Sequence, residues 1–108
     1  MSKYLTEVKN VLSSNKFVQV NGNFCPDCVY VNGVWKKLGV FDKIRLFEVG
    51  NMNREDQTRY RDAFAEVAGY RNLPTLFVNG QAWGTEREVH QLERQGKLQA
   101  ELERIGLL

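Results

Sequence analysis

A chain of 108 residues can bury one core but not two, so residues 1–108 are expected to form a single domain. An apolar fraction of 43%, with 6 Phe, 4 Tyr and 2 Trp, excludes a disordered chain. The 15 basic and 13 acidic residues leave a formal charge of +2, with no basic stripe to follow a phosphate backbone, so nucleic-acid binding has no support. No apolar run reaches membrane-spanning length. Charges interrupt every short apolar stretch near the N-terminus, which argues against a secretory leader and makes a reducing cytoplasm the expected compartment.

In chain order, Tyr4, Leu5, Val8, Val11 and Leu12 recur at helical spacing, which predicts a helix ending near Ser13-Ser14-Asn15. Phe17-Val18-Gln19-Val20 reads as a strand, broken by Asn21-Gly22-Asn23. A second helix is expected to open at Cys25 or Pro26, since proline fits a first helical turn, and to stop near Gly39. Ile44–Val49 reads as another strand, giving a strand-helix-strand unit whose strands run parallel. A polar stretch from Asn51 to Gln57 leads into a third helix, with Tyr60, Phe64, Val67 and Ala68 on one face and Gly69 as its cap. Leu76–Val78, Asn79-Gly80 and Gln81–Trp83 form the strongest hairpin signal in the chain. Thr85 is the expected cap of a fourth helix, Glu86 to Gln95, with Glu88 completing a capping box. Gly96 separates a last helix that ends at Leu107-Leu108. This order predicts an α/β, three-layer fold whose four-stranded mixed sheet is flanked by helices.

The only two cysteines, Cys25 and Cys28, stand three positions apart. So short a loop gains little from a structural disulfide, and reactivity explains the pair better. A thiol attacks a disulfide as its thiolate, and the unpaired N–H groups at the start of the second helix favour a negative sulfur there. Asp27 opposes that effect but suits the helix start as a first-turn acid; Pro26 and Asp27 thus modulate the pair. Cys28, one turn inward, is the candidate resolving thiol. Half a zinc site is the other reading of two cysteines at this spacing. His90 is the only histidine and no further cysteine exists, so no metal is expected.

Taken together, Phe24-Cys25-Pro26-Asp27-Cys28 after a strand, Arg71-Asn72-Leu73-Pro74-Thr75, Phe77-Val78-Asn79-Gly80 and Trp83-Gly84 resemble the glutaredoxin family over nearly the whole chain. The resemblance implies a thioredoxin-like fold. It also implies a glutathione-dependent thiol–disulfide oxidoreductase in which Cys25 attacks and Cys28 resolves, with glutathione as reductant and small-molecule or protein disulfides as partners. By the same resemblance Pro74 is cis and faces the cysteines, and the Leu73 backbone pairs with the peptide part of glutathione. Arg71 meets the glycine carboxylate, and the backbone at Thr85 and Glu86 receives the γ-glutamyl carboxylate. From the residues alone, Pro74 can equally start a strand, Arg71 can be a solvated arginine and Trp83 can be core or groove wall.

Three positions depart from the family pattern. Asn21-Gly22-Asn23 lacks the usual lysine, Thr85 stands for a second glycine, and Arg87 stands where an acid is usual. These departures keep a thioredoxin-like protein disulfide reductase, driven by thioredoxin reductase, as an alternative, since the two families' potentials differ by only ~40 to 70 mV. A glutathione-ligated iron–sulfur binding module and a non-catalytic adaptor are the remaining readings. A monomer is the default expectation.

Overall fold

The computed structural model describes residues 2–108. Helix α1 (Lys3–Ser14) starts at Ser2, whose side chain accepts the Leu5 N–H at 3.1 Å, and buries Leu5, Val8 and Leu12 on one stripe. Strand β1 (Phe17–Asn21) follows, then α2 (Pro26–Lys37), a single 3-10 turn (Phe41–Lys43) that no periodicity in the sequence predicts, and β2 (Arg45–Glu48). Helix α3 (Arg54–Ala68) precedes the hairpin of β3 (Thr75–Val78) and β4 (Gln81–Gly84), and α4 (Glu86–Arg94) and α5 (Leu98–Arg104) close the chain.

The sheet order is β2-β1-β3-β4, with β1 parallel to β2 and antiparallel to β3, which in turn runs antiparallel to β4. This is the expected mixed sheet in a thioredoxin-like fold. Alternation along β1 feeds two cores. Val18 and Val20 join Leu5, Val8, Phe47, Phe64 and Phe77 under α1 and α3. Phe17 joins Val31, Trp35, Leu76, Val89 and Leu102 under α2, α4 and α5. On the first face, Tyr4, Tyr60, Phe47, Phe64 and Phe77 form a chain of ring contacts with centroids 4.9–5.5 Å apart.

The Asn79-Gly80 turn has positive φ at both residues, 52° and 80°, the backbone a tight hairpin demands and the reason Gly stands at position 80. Two boundaries differ by several residues from those the sequence predicts. Helix α3 begins at Arg54, inside the stretch read as polar linker. Asn53 caps it by accepting the Asp56 N–H at 2.8 Å, and Glu55 and Asp56 suit its positive end. The last helix stops at Arg104 rather than at Leu107-Leu108. There the chain turns through Ile105-Gly106, and the Leu107 and Leu108 N–H groups return to Leu102 O at 2.9 and 3.1 Å, which buries Leu107.

The predicted capping box forms in full: the Arg87 N–H donates to Thr85 Oγ1 at 3.2 Å, and Glu88 Oε1 accepts the Thr85 N–H at 2.6 Å. Thr85→Ala should therefore cost about 1 kcal/mol and lower the thermal midpoint by roughly 5 °C. Calorimetry checks this, and an unchanged midpoint would show that the box contributes nothing.

Trp83 Nε1–H donates to Glu101 Oε2 at 2.8 Å, tying β4 to α5, and Arg104 grips the same carboxylate at 2.7 Å through both Nε and Nη2. The Arg104 hydrogen bonds, then the Trp83 one, hold the Glu101 carboxyl down to about 2 from its ordinary 4.5. A depressed folded-state value stabilises the fold above pH ~4.5 and is lost as pH falls from there to ~2. Glu101→Gln should thus be less stable than the parent at pH 6, with the gap closing by pH 2. Urea midpoints at the two pH values measure it.

Candidate functional site

The cysteines sit at the carboxyl end of β1, where the chain leaves the sheet to start α2. The Cys25 N–H closes a turn onto Gly22 O at 2.9 Å, and Cys25 itself is the N-cap of α2 with Pro26 in the first turn. Its side chain is half-buried and makes no capping bond, so the sulfur is free for other partners. Exposed Phe24, Pro26, Asp27 and Val29 surround it. Cys28 lies one turn further on, with no exposed surface, and its sulfur accepts the Gly22 N–H at 3.3 Å. Burial pushes the Cys28 thiol up to about 12; the Gly22 N–H acts against this, and the neighbouring Cys25 sulfur and Glu48 add to it. The pair is thus one accessible sulfur and one enclosed sulfur, both reduced.

Across from them, the Leu73–Pro74 peptide bond is cis, as the resemblance implied, and the Cys25 thiol points at Leu73 O, 3.7 Å away. Leu73 and Pro74 are both buried. Arg71 is exposed and its Nε pairs with Asp62 Oδ1 at 2.9 Å, so its guanidinium leans on α3. Asn72 O accepts the Thr75 hydroxyl at 2.8 Å, which fixes the loop's entry into β3.

Next to this loop lies an open groove of about 480 Å³ between Tyr70, Asn72, Trp83, Gly84, Thr85, Arg87 and Glu88. Trp83 packs against the α2-side core and also lines this groove. The Thr85 end of α4 opens into the groove. The Glu86 side chain does not; it lines the neighbouring hollow with His90 and Arg94. His90 is exposed and stacks flat on Tyr30 at 4.1 Å. Among the described residues no cluster of three or more His, Cys, Asp or Glu side chains is placed to hold a metal ion.

Two sets of residues near the cysteines carry no clear signal in the sequence. One is Arg61 on α3, which reaches under the loop to Arg71 O at 3.4 Å, with its Nε enclosed and unpartnered. Burial and the nearby Arg71 hold its guanidinium below its ordinary value, and charge on Cys25 and Cys28 works the other way. The other is a polar chain beneath α2. Trp35 Nε1–H donates to Gln19 Oε1 at 2.8 Å, Gln19 Nε2–H to Asn32 Oδ1 at 2.7 Å and Asn21 Oδ1 at 3.0 Å, and Asn21 Nδ2–H to Glu48 Oε1 at 2.7 Å. Its one trace in the sequence is a Gln and an Asn in a strand otherwise built from apolar residues.

No protein-family model matches the chain. Among curated proteins, it is 45% identical to glutaredoxin-8 of Saccharomyces cerevisiae over 108 residues, covering 100% of this chain and 99% of the yeast protein. Glutaredoxin-C6 of Oryza sativa is 30% identical over 105 residues, 96% of this chain and 89% of the rice protein. The chain belongs to the glutaredoxin family. The solution structure of the yeast dithiol glutaredoxin superimposes on this glutaredoxin with a TM-score of 0.90 over 100% of this chain and 99% of that one. The buckwheat glutaredoxin–glutathione complex superimposes with a TM-score of 0.77 at 24% identity, over 97% of this chain and 92% of that one, a likeness of fold.

Proposed function

We propose that this glutaredoxin is a glutathione-dependent thiol–disulfide oxidoreductase. The observation that carries the reading is the asymmetry of the pair: Cys25 at the mouth of α2, half-exposed and free of capping duty, and Cys28 enclosed one turn behind it. The Cys25 thiolate attacks one sulfur of a substrate disulfide, forming a new S–S bond while the other sulfur leaves as thiolate and takes up a proton. Cys28 then loses its proton, attacks the Cys25 sulfur and releases the second substrate thiol, closing the Cys25–Cys28 disulfide. Two glutathiones reduce that disulfide and leave as glutathione disulfide.

The electrostatics favour this order. Charge on Cys25 is one of the factors that keep Cys28 protonated. Once Cys25 is tied up in a mixed disulfide that charge is gone, and Cys28 ionises more readily at the moment it must attack.

In this reading the glutathione backbone pairs with Leu73, whose carbonyl already faces Cys25, and its γ-glutamyl end lies in the groove at the positive end of α4, its carboxylate replacing Glu88 on the Thr85 N–H. Arg71 meets the glycine carboxylate after exchanging its Asp62 partner, an exposed pair of the kind worth only about 0–1 kcal/mol. The relationship to glutaredoxin-8 and the fold shared with the buckwheat glutathione complex support the assignment.

The test oxidises the protein to its Cys25–Cys28 disulfide, adds millimolar glutathione and counts free thiols by alkylation and mass spectrometry. Reduction within seconds to minutes is the expected result. A disulfide that resists glutathione but yields to thioredoxin and its reductase would replace the reductant.

A further inference from the structure

The Glu48 carboxylate, at the end of β2, takes three short hydrogen bonds, from the last residue of β1 and from the loops that follow β1 and β2. Oε1 accepts the Asn21 amide at 2.7 Å, and Oε2 accepts the Asn23 N–H at 2.8 Å and the Gly50 N–H at 2.7 Å. Asn21 and Asn23 are the two neighbours of Gly22, and Gly22 donates its N–H to Cys28 at 3.3 Å. A single carboxylate therefore grips the chain on both sides of the backbone donor that touches the enclosed sulfur. Asn21 is 2% exposed, and its carbonyl oxygen is held by Gln19 and Asn32, so the first grip point is itself rigid. The fit at Gly50 is equally close: a methyl group there would meet Asn23 Oδ1 and lie 2.7 Å from Glu48 Oε2.

We infer that Glu48 is a positioning residue for the second exchange step, holding the Asn21–Asn23 turn so that the Gly22 N–H stays aimed at the Cys28 sulfur while that sulfur carries negative charge. The inference rests on Cys28 being the resolving thiol. A hydrogen bond to a thiolate is charge-assisted and stronger than one to a thiol, so a fixed donor lowers the barrier to forming the attacking species. The titratable groups acting on Cys28 are Cys25 from its own helix, Glu48 from β2 and Arg61 from α3. The Glu48 charge by itself disfavours the thiolate, so its benefit comes through Gly22, and the two effects have opposite signs.

An aromatic disulfide such as 5,5′-dithiobis(2-nitrobenzoate) separates the steps. Attack by Cys25 forms a mixed disulfide and releases one coloured thiolate; attack by Cys28 on the Cys25 sulfur closes the protein disulfide and releases the second. Stopped-flow absorbance reads both rates against pH. For Glu48→Gln and for Gly50→Ala, which keeps the carboxylate charge but crowds the grip, the ratio of second to first rate should fall about tenfold. The pH at which the second rate is half-maximal should rise in both.

Equal slowing of both releases, or an unchanged ratio, would overturn the inference. So would a half-maximal pH that falls in Glu48→Gln and stays put in Gly50→Ala, since only the charge would then matter. Circular dichroism establishes that each variant is folded, and the rate ratio of either folded variant is decisive by itself. Cys28→Ser in the parent protein is the independent control: if it retains the second release, the resolving role of Cys28 fails, whatever Glu48 does.

Discussion

Cys25→Ser is expected to lower disulfide reduction by at least about a thousandfold, the scale of loss when the nucleophile of a concerted site is removed. A serine hydroxyl does not form a disulfide, so the first exchange has no chemical substitute. Cys28 does not step in, because it has no exposed surface and its burial disfavours the thiolate. Cys28→Ser should behave differently: the first exchange proceeds at a near-parental rate and the mixed disulfide on Cys25 accumulates until free glutathione removes it. A coupled assay with glutathione, glutathione reductase and a small aliphatic disulfide gives turnover, and mass spectrometry identifies the trapped species. More than a tenth of parental turnover in Cys25→Ser would move the reaction centre away from this pair.

Trp35→Ala should be the most damaging change outside the cysteines, at about 4 kcal/mol, which is a large share of the ~5 to 15 kcal/mol that stabilises a domain of this kind. Trp35 is fully buried among Phe17, Val31, Leu76 and Leu102, and its indole N–H is the partner of Gln19 Oε1. Alanine leaves a void and an unsatisfied amide in one stroke. Trp35→Phe fills most of the space and loses only the hydrogen bond, so its cost should be near 1–3 kcal/mol. Urea midpoints of the two variants separate the parts, and a loss equal in both would assign all of the damage to the hydrogen bond.

What could be read from the sequence follows from how each feature is encoded. Apolar periodicity located α1, β1 and α2, Asn79-Gly80 located the hairpin, and Thr85 with Glu88 located the start of α4, because each is a local pattern with one physical meaning. The placement of Cys25 at a helix start came from Pro26. Features held by polar groups were harder. Helix α3 opens with Arg54-Glu55-Asp56, and polar residues in a first helical turn look like a loop until Asn53 is recognised as a cap. The Gln19–Asn21–Asn32–Glu48 chain has no periodic signature, since each member is tolerable in the interior only because the others are there. The pairing of Arg71 with Asp62 was likewise hidden, as an exposed arginine's partner depends on which helix the fold brings alongside.

The two borders of the sheet carry a colloidal consequence. Strands β2 and β4 are each only four residues long, β2 begins with an exposed Arg45, and the β3–β4 pairing is interrupted between Leu76 and Phe77. Short, charged or irregular margins are poor templates for another backbone. The sheet therefore offers little on which further strands can grow, and crowded solutions of this protein should resist fibrous assembly even though its central strands are rich in Val and Phe.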